Sequence, residues 1–232
     1  MSSSNHTHKH LARAVPVGCS AALFFVRGDL EFVHVEGRRA VSKYVSIAAA
    51  QEAFGVGGID SGWLPESVIR TGQGRRGRFM VAYLPPAERT IFVDDKKSRA
   101  AKLTLHLPGL VFMGVGTEYF VWAVSERAFS PKADCCHAPF PNVASSGRIC
   151  YGSNKHPQVS EAGFAQALEL LWISPFTSSQ ADGKSKARPK DVRTHLRAVA
   201  ASKKPYPVSD LVKAGGSIES VVDRVISGDK EE

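Results

Sequence analysis

Residues 137–152 read HAPFPNVASSGRICYG, which sets Cys150 eight residues after Asn142, with His137 before it and His156 beyond it. A thiolate is the attacking species in thiol-thioester exchange, and the fraction that an ordinary cysteine ionises near neutral pH suffices when a bound partner imposes the geometry. If an amine then attacks the thioester, negative charge grows on its carbonyl oxygen. An amide donor such as Asn142 can stabilise that oxygen or order the loop around it, and the residues alone do not separate the two roles. The plainer readings are a buried, inert Cys150 and a turn-forming Asn142 after Pro141.

Other chemistries compete for the same residues. Cys135, Cys136 and His137, with Cys150 and His156, form a soft ligand set, but structural zinc sites present C-x₂₋₄-C or H-x₃₋₅-H knuckles rather than adjacent cysteines, so no metal is expected. A cysteine hydrolase usually carries its nucleophile at the start of a helix and takes its base from a distant strand, a pattern this segment lacks. Gly72, Gly74 and Gly77 satisfy G-x-G-x-x-G within TGQGRRGR. A dinucleotide fingerprint needs a strand before it and a helix after it, whereas here a short helical piece is expected over 64–70 and a strand over 78–84. The segment reads as a flexible Gly/Arg turn, and no cofactor is expected.

The stretch 137–152 resembles the active-site segment of ubiquitin-conjugating enzymes. In that family an H-P-N tripeptide puts its asparagine eight residues before the thioester-forming cysteine, and G-x-I-C surrounds the nucleophile. Pro141, Asn142 and Cys150 keep that register, and Gly147-Arg148-Ile149-Cys150 supplies the second half. The likeness is sharp over about sixteen residues and loose over 103–177. A closer resemblance is to the prokaryotic family D of ubiquitin-conjugating-like proteins, a group also known as PRTRC system protein B and found in plasmid-borne gene clusters. Leu107-Pro108-Gly109-Leu110, His137-Ala138-Pro139-Phe140, Gly147-Arg148-Ile149-Cys150 and Ser174-Pro175-Phe176-Thr177 are similar to its landmarks. The resemblance implies an α+β fold, a ubiquitin-conjugating-enzyme-like antiparallel sheet flanked by helices. It also implies Cys150 as thioester carrier, Asn142 as the second catalytic residue, and loop support from His137, Pro141 and His156. The implied partners are a ubiquitin-like modifier protein, a ThiF-type adenylating enzyme and an amine target of unknown identity. Phe140 departs from the pattern, standing where the tripeptide has its histidine; that histidine chiefly braces the loop, a task His137 can take over.

These residues need elements to hold them. Short β-rich runs at 19–26 and 30–36 predict a hairpin, and a helix is expected over 46–54. Strands are expected at 78–84, 90–93, 103–107, 110–115 and 118–124, with Pro85 and Pro86 marking a turn. Periodicity vanishes over 130–157, where prolines and glycines punctuate a loop too long for a plain connector. Ser160 reads as the cap of a helix whose Phe164, Leu168, Leu171 and Trp172 share a face that packs on the sheet. Further helical stretches fall at 190–201 and 217–226.

The composition of the 232-residue chain is that of a globular protein, 43% hydrophobic and 22% charged, with a net charge of +8. Residues 184–204 hold eight basic side chains against the single acid Asp191, so most of the net charge lies there. We expect a disordered leader over 1–15, a core over 16–179 and a separable basic helical tail over 180–232. The tail contains no aromatic residue before Tyr206, which disfavours stacking on single-stranded nucleic acid and favours protein docking. The rival reading is a non-enzymatic nucleic-acid-associated scaffold of a plasmid or mobile-element system. No apolar run reaches the ~20 residues of a membrane span. Four cysteines without a disulfide-framework spacing suit the reducing cytoplasm.

Overall fold

The computed structural model describes residue 15 and residues 19–26, 29–36, 39–47, 49–50, 64–95 and 98–228. The expected leader, except its last residue, lies outside the described residues, as does the end of the helix expected over 46–54, of which residues 47, 49 and 50 are helical. The chain divides into two compact units, Met1–Gly62 and Trp63–Glu232.

In the first unit β1 (Ala21–Val26) and β2 (Asp29–Glu36) pair antiparallel as the sequence predicts. A third strand, β3 (Arg39–Val45), extends the meander by pairing antiparallel with Leu30 to Glu36 of β2. Its mixed residues, RAVSKYV, carry too weak an alternation to announce it.

The second unit is built on a six-stranded antiparallel sheet. Its strands are β4 (Val68–Gly74), β5 (Gly77–Leu84), β8 (Gly109–Val115), β9 (Glu118–Val124), β10 (Asp134–His137) and β12 (Lys213–Ser217), in the order β12-β10-β9-β8-β5-β4. The hairpin β6 (Ala87–Asp95) and β7 (Ser98–Leu107) leaves between β5 and β8 and forms a second sheet, in which β11 (Pro175–Phe176) lies parallel to β6. The near-continuous apolar runs of β8 and β9 have a physical reason: both faces of the large sheet are covered. Leu110, Phe112, Tyr119, Val121 and Ala123 point into one core cluster, whereas Val111, Met113, Phe120, Trp122 and Val124 point into another. The first face is closed by α1 (Glu161–Ile173), through Phe164, Ala167 and Leu171. As expected, Ser160 caps this helix, its side chain accepting from Gly163 N.

Two expectations are corrected. Residues 64–70 are not a helical piece: Val68 onward is β4, and the glycine-rich octad is the β4–β5 hairpin, where Gly77 takes φ +107° beside the turn at 75–76. Residues 180–232 are not a separable tail. β12 completes the sheet edge beside β10, and α3 (Ile218–Ser227) covers the second face with Ile218, Val221 and Val222. α2 (Val192–Ser202) sends Val192, Leu196 and Val199 into the first cluster. The basic tract is correspondingly fixed to its surroundings: Lys184 is buried, Arg193 pairs with Asp191 at 2.7 Å, and Arg197 donates to Asp94 O at 3.2 Å. Among the described residues no helix is long and apolar enough to cross a membrane.

Candidate active site

Cys150 sits at the end of a loop that the sheet itself organises. Gly147 O accepts from Val121 N at 2.8 Å, and Ile149 N donates to Tyr119 O at 2.8 Å, so residues 147–149 run antiparallel along the start of β9. Extended backbone alternates its side chains, and here burial alternates with it. Ile149 and Tyr151 are buried, Tyr151 donating through its hydroxyl to Ala167 O at 2.9 Å, and between them Cys150 is turned out to solvent. The exposed thiol is thus a consequence of two anchors on either side of it.

Asn142 locks the other end of this loop. Its carbonyl accepts from Cys150 N at 2.7 Å and its own N–H donates to Ser179 O at 2.8 Å. Oδ1 accepts from Thr177 N at 3.2 Å and from Thr177 Oγ1 at 2.7 Å, while Nδ2 lies 3.4 Å from Pro175 O. Its φ of +58° is left-handed, a conformation asparagine tolerates better than most residues. Pro141 is buried next to it. Gly147 is required on two counts: φ is +87°, and a Cβ there would stand 2.3 Å from Trp122 Nε1.

Three of the quoted landmarks therefore converge. Phe140, fully buried, stacks on Phe176 at 5.1 Å and meets Trp172 edge-on at 6.2 Å, while Thr177 holds Asn142. The position where the tripeptide has a histidine is filled by an aromatic ring that braces the loop by packing.

A cavity of about 350 Å³ opens at Cys150, walled by Tyr119, Arg148, His156 and Gln180 among others. His156 stacks on Tyr151 at 5.2 Å and meets Tyr119 edge-on at 6.1 Å. Burial pushes the Tyr119 phenol up to about 12 and the Tyr151 phenol up as well, so both stay neutral. Arg148 pairs with Glu118 at 3.0 Å, and Glu118 also holds Arg76. His137 is not among the residues around this cavity: it ends β10 opposite Trp122, with its N–H donating to Val212 O at 2.9 Å. Glu118 and Gln180 lay outside every quoted stretch; Arg148, Tyr151 and Thr177 lay inside quoted stretches but were given no role there.

The neighbouring cysteines differ in kind from Cys150. As adjacent residues of a strand, Cys135 and Cys136 enter the two clusters on opposite faces of the sheet, which no single ion can bridge. Burial pushes the Cys135 thiol up to about 12; burial, followed by the charge of Asp134, raises that of Cys136.

Comparison with known families bears directly on this arrangement. Residues 43–214, more than half of the chain, match Prokaryotic E2 family D. The chain belongs to that family. Its members are ubiquitin-conjugating-like, and membership gives the chain a conjugation-type role alongside a ubiquitin-like modifier and an activating enzyme in general terms. The match includes β10, the Asn142–Cys150 loop, α1 and α2, and ends within β12. None of the curated proteins and none of the solved structures compared with the chain matches it.

Proposed function

We propose that this family D protein accepts an activated ubiquitin-like protein as a thioester on Cys150 and transfers it to an amine. The observation that carries the reading is the contrast between thiols in the second unit: Cys150 is exposed on a braced loop at a cavity, whereas Cys135 and Cys136 are buried in the sheet. A nucleophile must meet its partner's carbonyl carbon, and a buried thiol of raised pKa cannot. The donor is a ubiquitin-like modifier activated by a ThiF-type adenylating enzyme, and the setting is the cytoplasm of a plasmid-bearing cell. Asn142 fits the role of loop positioner, since its carboxamide is bonded at both ends. Pro141 and Phe140 assist by packing, and His156 lines the site.

The test is incubation with the modifier, the adenylating enzyme and ATP, followed by non-reducing gels. A reductant-sensitive adduct is expected in the wild type and in Cys135→Ala and Cys136→Ala, and none in Cys150→Ala. An adduct that survives in Cys150→Ala sinks the proposal.

A further inference from the structure

We infer that Gln180 supplies the carboxamide donor for the transfer step at Cys150; this rests on the thioester reading above and assigns a role that Asn142 is too engaged to fill. The Asn142 oxygen is held by two groups of Thr177, and its nitrogen is directed to Pro175 O. Gln180 lines the same 350 Å³ cavity as Cys150. Two backbone hydrogen bonds in series bring it there: Cys150 N donates to Asn142 O, and Asn142 N donates to Ser179 O, one residue before Gln180. Its side chain is exposed, and among the described residues no hydrogen bond holds its carboxamide.

The backbone at this position is also unusual. Gln180 has φ +53°, the left-handed region, which residues other than glycine seldom adopt. Its neighbours enforce that conformation. Ser179 O accepts from Asn142 on one side, and on the other the buried Ala181 accepts from Val192 N at 2.9 Å, at the start of α2. Strain of this kind persists where surrounding structure over-determines it, and here the effect is to keep a free amide at the mouth of the thiol cavity.

The step itself balances without any further reagent. The amine lone pair forms a bond to the thioester carbonyl carbon while the C=O π electrons move onto oxygen, giving an oxyanion that accepts a hydrogen bond from Gln180 Nε2. Collapse of that intermediate re-forms C=O, breaks the C–S bond and leaves Cys150 as thiolate; the surplus proton of the amine passes to water. A donor aimed at that oxygen lowers the barrier for the attack, because the charge it meets exists in the transition state and not in the resting thioester.

The experiment needs no natural modifier. In a Cys19→Ser background, Cys150 is acylated to completion with the benzyl thioester of N-acetylglycine, and single-turnover discharge to n-butylamine is followed by mass spectrometry. The parent, Gln180→Ala and Gln180→Gly are compared; the glycine variant removes the amide and also relieves the left-handed backbone. Discharge on the order of 10²-fold slower in both variants supports the inference. Rates equal to the parent's in both overturn it, as does slow discharge in Gln180→Ala with full recovery in Gln180→Gly, which would assign the effect to the backbone. A parent no faster than the same acyl group on glutathione also overturns it. Failure of the parent to acylate at Cys150 would count instead against the thioester reading, so the two failures are distinguishable.

Discussion

Thiols of three environments test the residue-scale account, because reactivity toward an alkylating agent follows thiolate access. Brief treatment of the native protein with N-ethylmaleimide is expected to label Cys19 and Cys150, both exposed, and to spare Cys135 and Cys136 until denaturant is added; peptide mapping by mass spectrometry reads the outcome. Lys184 is the second residue whose environment makes a measurable prediction. It is buried, donates from Nζ to Ala144 O at 3.4 Å, and burial pulls its ammonium down to about 8 against the opposing charge of Asp182. Because the folded-state value lies below the unfolded one, the unfolded chain binds more protons between about pH 8 and the ordinary lysine value of ~10.4. The penalty of burying the charge is therefore complete below pH 8 and relieved above it. Wild-type unfolding free energy should gain up to ~1.4 kcal/mol per pH unit in this window relative to Lys184→Met, as read by urea titrations at pH 7.5 and 9.5. Equal pH dependence in the two proteins would show that Lys184 is not held as a buried cation.

At the scale of the element, the Cys150 loop is a strand-like segment tied down at both ends. Phe140 and Gly147 are its two packing points, and each makes a distinct prediction. Phe140→Ala removes a fully buried ring stacked on Phe176 and is expected to cost roughly 3–5 kcal/mol in denaturant unfolding. Phe140→His, which introduces the histidine of the ubiquitin-conjugating tripeptide, should also destabilise, since the site offers aromatic faces to an imidazole that needs hydrogen-bond partners. A Phe140→His variant as stable as the wild type would mean that the loop accepts a histidine as its brace. Gly147→Ala forces a Cβ against Trp122 at a left-handed φ, and a loss of about 1–3 kcal/mol is expected, together with altered N-ethylmaleimide reactivity at Cys150.

On the scale of the whole molecule, the segment after Ser179 is structural. Removing everything after Ser179 would strip α2 from the first cluster, unpair β10 at one edge and expose Phe79, Val81, Val111, Met113 and Trp122 on the second face. That truncation is expected to aggregate or to lose cooperative thermal unfolding, measured by soluble yield and circular dichroism. A soluble fragment of residues 1–179 with a sharp transition would restore the separable tail. The fragment of residues 63–232, which contains the second unit intact, should instead unfold cooperatively and keep Cys150 reactive.

The register of Asn142 and Cys150, the exposure of the loop context, the central strands and the Ser160 cap were all legible in the chain, because spacing, local propensity and hydrophobic period are properties of neighbours in sequence. So was family membership, through short landmarks whose residue types survive without their surroundings. β3, β4, β10 and β12 were not legible, since short or mixed strands gain their stability from pairing partners that lie far away in sequence or on a sheet edge. The basic tract misled for a related reason: charge density reads as solvation, yet Val192, Leu196 and Val199, at helical spacing within and around it, bury one face while Lys184 is drawn in with them. The loop context pointed to an accessible Cys150, but how the thiols are sorted between core and solvent was decided by tertiary structure. Adjacent thiols on a strand are sent to opposite buried faces, and a third is turned outward because Ile149 and Tyr151 on either side of it are anchored in the core.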